Sequence, residues 1–267
     1  MACLPDYTTP MISKLPALKA NKTAGSQVED RGEGAWRLEI PPGPKGRYRL
    51  SQVDDYDALP RRSFPWQAPS RLSLQARASS ECIPGTWGFG LWNNPFGMAI
   101  LKGAEMLRLP TLPNCAWFFF ASPPNYLSLR DDLPGRGGLA ATFRSSRLPT
   151  PLGVLGAPVL PLLLWRPAAR GLRRLARKFI QQDAVELVLS PLEWHTYALS
   201  WRAEEVTFWV DGEIVLVTDQ APHSPLGLVI WVDNQYAALA PDGRVGFGTL
   251  ANPEPAWIEI KELEVGD

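Results

Sequence analysis

A chain of 267 residues has room for one large all-β domain or two smaller ones, with a substantial buried core in either case. Lysine plus arginine and aspartate plus glutamate each number 27, so no global field attracts nucleic acid, which is set aside as a partner. The three cysteines, Cys3, Cys82 and Cys115, cannot all pair and show no CxxC spacing, a pattern that fits a reducing compartment.

The opening MACLPDYTTPMISK lacks a basic start followed by an apolar run, so no secretory signal is read and a cytoplasmic location is expected. Residues 1–33, rich in Pro, Lys, Ser and Thr without periodicity, read as an irregular N-terminal arm, and 34–267 as one β-sandwich domain. Residues 36–40 and 48–53 suggest a hairpin around PPGPKG, and 60–69 form a Pro-rich loop. Strands are predicted at 72–78, 88–92, 98–101, 116–121, 127–129 and 139–145.

Residues 150–184 change character and are predicted to be an apolar and basic helical insertion. The stretch 152–165 is apolar but carries Pro158 and Pro161, and it falls short of the roughly 20 residues a bilayer requires. Pro167 suits a helix start. Leu172, Leu175, Ala176, Phe179 and Ile180 then form an apolar stripe, opposite Arg170, Arg173, Arg174, Arg177 and Lys178. That basic face makes an anionic membrane surface a candidate partner, with a peripheral position at the membrane as one reading. Its bland counterpart is a helix packed on the sandwich with its arginines in water. The insertion reads as a unit appended to the sheets.

Further on, His195, Tyr197, Leu199 and Trp201 share one face of a strand, and Val206, Phe208 and Val210 repeat the period of two. Asp211-Gly212 suits a tight type I′ hairpin into a strand at 214–217. Strands at 228–232 and 256–265 complete the set.

The run WHTYALSWRAEEVTFWVDGEIVLVT at 194–218 resembles the corresponding segment of family 16 glycoside hydrolases and their concanavalin A-like relatives. LSLQARASSECIPGTWGFGLWNN at 72–94 and AWIEIKELEV at 256–265 resemble two further segments of that family in the same order. The resemblance implies an all-β, concanavalin A-like jelly-roll β-sandwich of two antiparallel sheets with a helical insertion. It also implies a cleft strand bearing Glu-x-Asp-x-x-Glu, whose nucleophile and acid/base stand about 5 Å apart. The strand expected in that place, NCAWFFFAS at 114–122, has no carboxylate.

A binding or non-hydrolytic protein is therefore expected, holding a glycan, glycolipid or other amphiphile in an aromatic concave cleft. The alternatives are a divergent glycoside hydrolase with relocated carboxylates and an enzyme moving a proton on an apolar substrate. Trp92 shares a strand face with Gly88 and Gly90, whose missing side chains leave room for a ligand, and is a ligand-stacking candidate with Asn93 and Asn94 beside it, whereas Trp87 and Phe89 on the other face are expected in the core. Asp233, Asn234, Gln235 and Tyr236 cluster at a strand end, where they are either ligand groups or a solvated turn. The weak catalytic candidates are His195, Asp233, Asp131 and Glu81, although in the family the matching His commonly supports the sheet. No cofactor motif and no metal-ligand spacing is present, so neither a cofactor nor a metal is expected.

Overall fold

A computed structural model describes residues 17–95, 108–146 and 165–266. Its strands are β1 (Lys19–Lys22), β2 (Gln27–Gly32), β3 (Ala35–Ile40), β4 (Leu50–Asp54), β5 (Ser70–Ala78), β6 (Thr86–Trp92), β7 (Cys115–Ala121) and β8 (Gly137–Ser145). Helix α1 (Arg166–Phe179) then precedes β9 (Ile180–Leu187), β10 (His195–Trp201), β11 (Val206–Val210), β12 (Glu213–Thr218), β13 (Gly227–Asp233), β14 (Gln235–Leu239), β15 (Val245–Thr249) and β16 (Ala256–Gly266). Sheet I runs β12-β11-β10-β5-β16-β3-β2 and sheet II runs β1-β4-β13-β6-β7-β8-β9, seven strands each, all antiparallel. This is the all-β jelly-roll sandwich, with one α-helix among the described residues.

The period-two alternation supplies the core. β5 alternates buried and half-buried positions throughout, and its Leu72, Leu74, Ala76 and Ala78 meet Trp87, Phe89 and Leu91 of β6 and Ala116, Phe118 and Phe120 of β7 across the sandwich. The Asp211-Gly212 turn joins β11 to β12 with φ of 49° and 87°, the two positive values a type I′ hairpin requires.

Several expectations need correction. Residues 1–16 lie outside the described residues, but the rest of the expected irregular arm carries β1 and β2, which edge sheets II and I respectively. β3 and β4 do not pair as a hairpin. β3 pairs with β2 and β16 in sheet I, while β4 pairs with β1 and β13 in sheet II, so the intervening PPGPKG crosses between sheets. Its prolines cannot donate to a ladder, which suits a crossing. No strand forms at 127–129; that stretch is a loop whose Leu129 N–H and Ser128 hydroxyl bond Gln182. The strand expected at 98–101 and the apolar stretch 152–164 lie outside the described residues.

The helical insertion is narrower than 150–184, because β9 begins at Ile180 and forms the edge of sheet II opposite β1. Pro167 sits in the first turn of α1 as expected. The helix is rotated, however. Ala169 and Arg173 are its buried residues, whereas Leu175 is 49% exposed and Phe179 36%. The cause is polar. The carbonyls of Ser128, Arg130 and Leu239 face α1, and Arg173 donates to all three.

Candidate functional site

Strand register lines up the face of sheet II that is turned away from sheet I, which is where the resemblance places a cleft. On β6 that face carries Thr86, Gly88, Gly90 and Trp92; on β7 it carries Cys115, Trp117, Phe119 and Ala121; on β13 it carries Val229, Trp231 and Asp233. The result is one aromatic layer. Trp92 lies parallel to Trp231 at 6.2 Å between centroids, and Trp117 lies 6.1 Å from Trp92, 5.6 Å from Trp231 and 5.3 Å from Phe119. Tyr56 closes one side, 6.2 Å from Trp92, and Phe143 stands edge-on to Trp117 at 6.1 Å.

Gly88 and Gly90 do not leave an open groove for a ligand, as the sequence suggested. A Cβ on Gly88 would lie 2.3 Å from the Phe118 carbonyl oxygen and 2.9 Å from Cη2 of Trp231, and one on Gly90 would lie 2.5 Å from Trp117 Cα and Cβ. The missing side chains let the tryptophans and the neighbouring backbone close down. Trp231 is 7% exposed, while Trp92 and Trp117 remain half-buried and form the accessible edge of the layer. Trp92 faces as expected. Trp117, Trp231, Phe119 and Tyr56 were not singled out from the sequence, although alternation along CAWFFFA was the signal for two of them.

Two buried carboxyls share this face. Asp54, on β4, accepts from Gln52 Nε2 at 2.8 Å and from the Asp57 amide, and burial raises it to about 6. Asp233 accepts from the Thr86 hydroxyl at 2.8 Å, and Thr86 in turn accepts from the Trp231 indole N–H at 3.0 Å; burial raises Asp233 to about 7. Asp54 pairs with Val229, four residues before Asp233 on the adjacent strand, so their backbone positions are offset by about 13 Å along the strands. A glycosidase pair needs about 5 to 9.5 Å. Asp55, next to Asp54, accepts from the Trp66 indole N–H at 2.6 Å and the Leu228 amide, and desolvation raises it to about 7.

The other candidates scatter. Asn93 is a loop brace, its amide donating to the Leu112 carbonyl and its side-chain oxygen accepting from the Asn114 N–H. Asn94 is buried at φ 45°, with its carbonyl held by Arg61. Asn234, fully buried, ties Arg47, Arg49 and Leu250 together, so it is a clamp and not a ligand group; Gln235 and Tyr236 belong to β14, in a separate two-stranded sheet with β15. His195 sits on sheet I, away from the aromatic layer. Its Nδ1 meets the Asp211 carboxylate at 2.6 Å and its Nε2 donates to the Ser190 carbonyl, which is a bracing role. Glu81 accepts from the Ser190 hydroxyl in an exposed loop.

Asp131 is occupied as a counter-ion. It binds Arg173 and Arg177 at 2.8 Å each, and these guanidiniums hold it below the usual carboxylate range. Arg173 is 3% exposed on its side chain and is therefore not a surface contact, which corrects its place among the membrane candidates; Arg170, Arg174 and Lys178 do face solvent. A cavity of about 350 Å³ lies against this basic flank, lined by Asp131, Pro167, Arg170, Arg173, Arg174, Arg177 and Pro241. Among the described residues no cluster of His, Cys, Asp and Glu is suited to a metal, and no helix is long and apolar enough to cross a membrane.

No family model and no curated protein matches the chain. Among solved structures it is similar to an immunostimulatory antigen and pseudo β-1,3-glucanase of Mycobacterium tuberculosis, with a TM-score of 0.47 and 10% identity over 90% of this chain and 78% of that one. It is also similar to the laminarinase catalytic domain of Thermotoga maritima in complex with cetyltrimethylammonium bromide, with a TM-score of 0.46 and 11% identity over 91% and 81% of the two chains. A third is the β-glucanase of Bacillus licheniformis, with a TM-score of 0.42 and 10% identity over 92% and 94%. To each of these the chain is similar in fold.

Proposed function

We propose that this chain is a non-hydrolytic binding protein on a glucanase-like sandwich, receiving a glycan, glycolipid or other amphiphile on the Trp92–Trp117 edge of its aromatic layer. One observation carries the reading. The outer-face positions of β7, where glycosidase chemistry would need paired carboxylates, are Cys115, Trp117, Phe119 and Ala121. Aromatic faces stack sugar rings and acyl chains but cannot protonate a leaving oxygen. Asp54 and Asp233, the buried carboxyls on this face, stand four residues out of step on adjacent strands.

The experiment has two arms. Purified protein should release no reducing ends above a blank from β-1,3-, β-1,4- or mixed-linkage glucans. Laminari-oligosaccharides and an alkyl maltoside should be screened by tryptophan fluorescence, with any response lost in Trp92→Ala and Trp117→Ala. Turnover that disappears on replacing a single acid would overturn the proposal.

A further inference from the structure

We propose that the cavity between α1, the loop at 128–132 and the β14–β15 turn is a binding site for a phosphate group. The cavity shares no residue with the aromatic layer, so the two sites are tested separately.

Four guanidiniums, Arg170, Arg173, Arg174 and Arg177, line the cavity against the single carboxylate of Asp131. Asp131 is already shared by Arg173 and Arg177. Arg173 is fixed by three backbone carbonyls and lies over the Tyr126 ring at 5.3 Å, so it forms a rigid wall. The side chains of Arg170 and Arg174 have neither a hydrogen bond nor a carboxylate partner among the described residues.

The helix itself is electrostatically unbalanced. No acid lies between Arg166 and Lys178, none stands in the first turn of α1, and no side chain caps its N-terminus. Arg166, Arg170 and Arg174 recur at i, i+4 and i+8, a row of like charge whose first members oppose the positive end of the helix dipole. Such an arrangement weakens an isolated helix and is relieved by an anion in the cavity. Pro167 lines the cavity too, which brings it to that same end of α1.

The remaining wall is closely fitted. Gly243, at φ 82°, brings the β14–β15 turn so near that a Cβ there would lie 2.4 Å from the Arg166 carbonyl oxygen and 3.0 Å from Arg170 Cγ. Phosphate is the anion that suits the walls, because a compact dianion with several acceptor oxygens matches planar guanidinium forks better than a single carboxylate does. The volume of about 350 Å³ exceeds a bare phosphate and leaves room for the organic part of a monoester. A soluble phosphate ester and a phosphorylated lipid headgroup share this chemistry.

The full chain is titrated calorimetrically with inorganic phosphate and with glucose 6-phosphate, against glucose and against chloride at matched ionic strength. In parallel it is floated with phosphatidylcholine vesicles with and without phosphatidic acid. The expected result is saturable binding of a phosphate probe that chloride does not reproduce, weakened at least tenfold in the double variant Arg170→Gln, Arg174→Gln. Binding of glucose 6-phosphate without flotation assigns a soluble ester, and flotation on phosphatidic acid alone assigns a headgroup. Absence of phosphate-specific binding in every arm overturns the proposal, as does equal binding by the wild type and a double variant with unchanged circular dichroism. Should the double variant fail to fold, the wild-type comparison of phosphate with chloride decides alone.

Discussion

Arg173 takes the place on α1 that an apolar side chain would ordinarily fill. Its guanidinium satisfies the carbonyls of Ser128, Arg130 and Leu239 and one oxygen of Asp131. Arg173→Ala should therefore lower stability by about 2–4 kcal/mol in urea unfolding, since each buried acceptor left without a donor carries a desolvation penalty. Lysine should recover little, because a point charge cannot serve four acceptors through one planar fork. On β6 the two faces should separate cleanly. Phe89 is fully buried between the sheets, so Phe89→Ala should cost about 3–5 kcal/mol, and half-buried Trp92→Ala clearly less. Alternation named these two faces correctly. It could not name what filled the space over Gly88, because Trp231 arrives from a strand about 140 residues further along.

At the scale of elements, the β10–β12 meander was readable in detail because its determinants are local: alternation, and a dipeptide that tolerates positive φ. Asp211 adds a tertiary link, accepting from the Thr196 amide at 2.8 Å and meeting His195 Nδ1 at 2.6 Å. Asp211→Ala should lose both contacts and place alanine at φ 49°, lowering the melting temperature by the equivalent of about 1–2 kcal/mol. Helix α1 was readable as a helix but not in its orientation. Periodicity ranks faces by hydrophobicity, and here hydrogen-bond demand from the loops outweighed it. Hydrogen bonds from Arg173 tie α1 into the sandwich, and Ala176 adds apolar contact with the cluster of Cys115, Phe143 and Ile180.

For the whole molecule, three carboxyls raised by burial should shape the pH dependence of stability. Asp54 rises from 3.8 to about 6, and Asp55 and Asp233 from 3.8 to about 7. Raised folded values mean that the native state holds more protons than the unfolded chain between about pH 4 and 7. Their contribution is complete below the unfolded value and is lost as pH rises through that window. All three groups act in the same direction across that window. Asp131, Asp132, Asp242 and Glu259, all held low by arginine and other hydrogen-bond partners, act in the opposite sense and lose their contribution as pH falls. Thermal melts should therefore place maximal stability on the acid side of neutrality, and Asp233→Asn should flatten the decline from pH 5 to 7. A melting temperature that rises steadily to pH 8 would contradict this account.

The sequence by itself determined the class of fold, most strand positions, the Asp211-Gly212 hairpin and the lack of carboxylates on the strand at 114–122. The strands, the hairpin and the missing carboxylates depend on residues within one or two turns of chain, where side-chain period and backbone conformational preference act directly, while the class of fold came from the ordered resemblance of three segments. Tertiary structure alone decided which sheet each of β1 to β4 joined, which face α1 buried, and that Trp92, Trp117 and Trp231 meet. It also decided that Asp233 is buried and that Asn234 is a clamp. These outcomes rest on partners far apart in sequence, as when Arg49 N–H finds the Asn234 side chain 185 residues away. Such pairings are fixed by the joint requirement that apolar faces be covered and every buried donor and acceptor matched, which no local window of sequence contains.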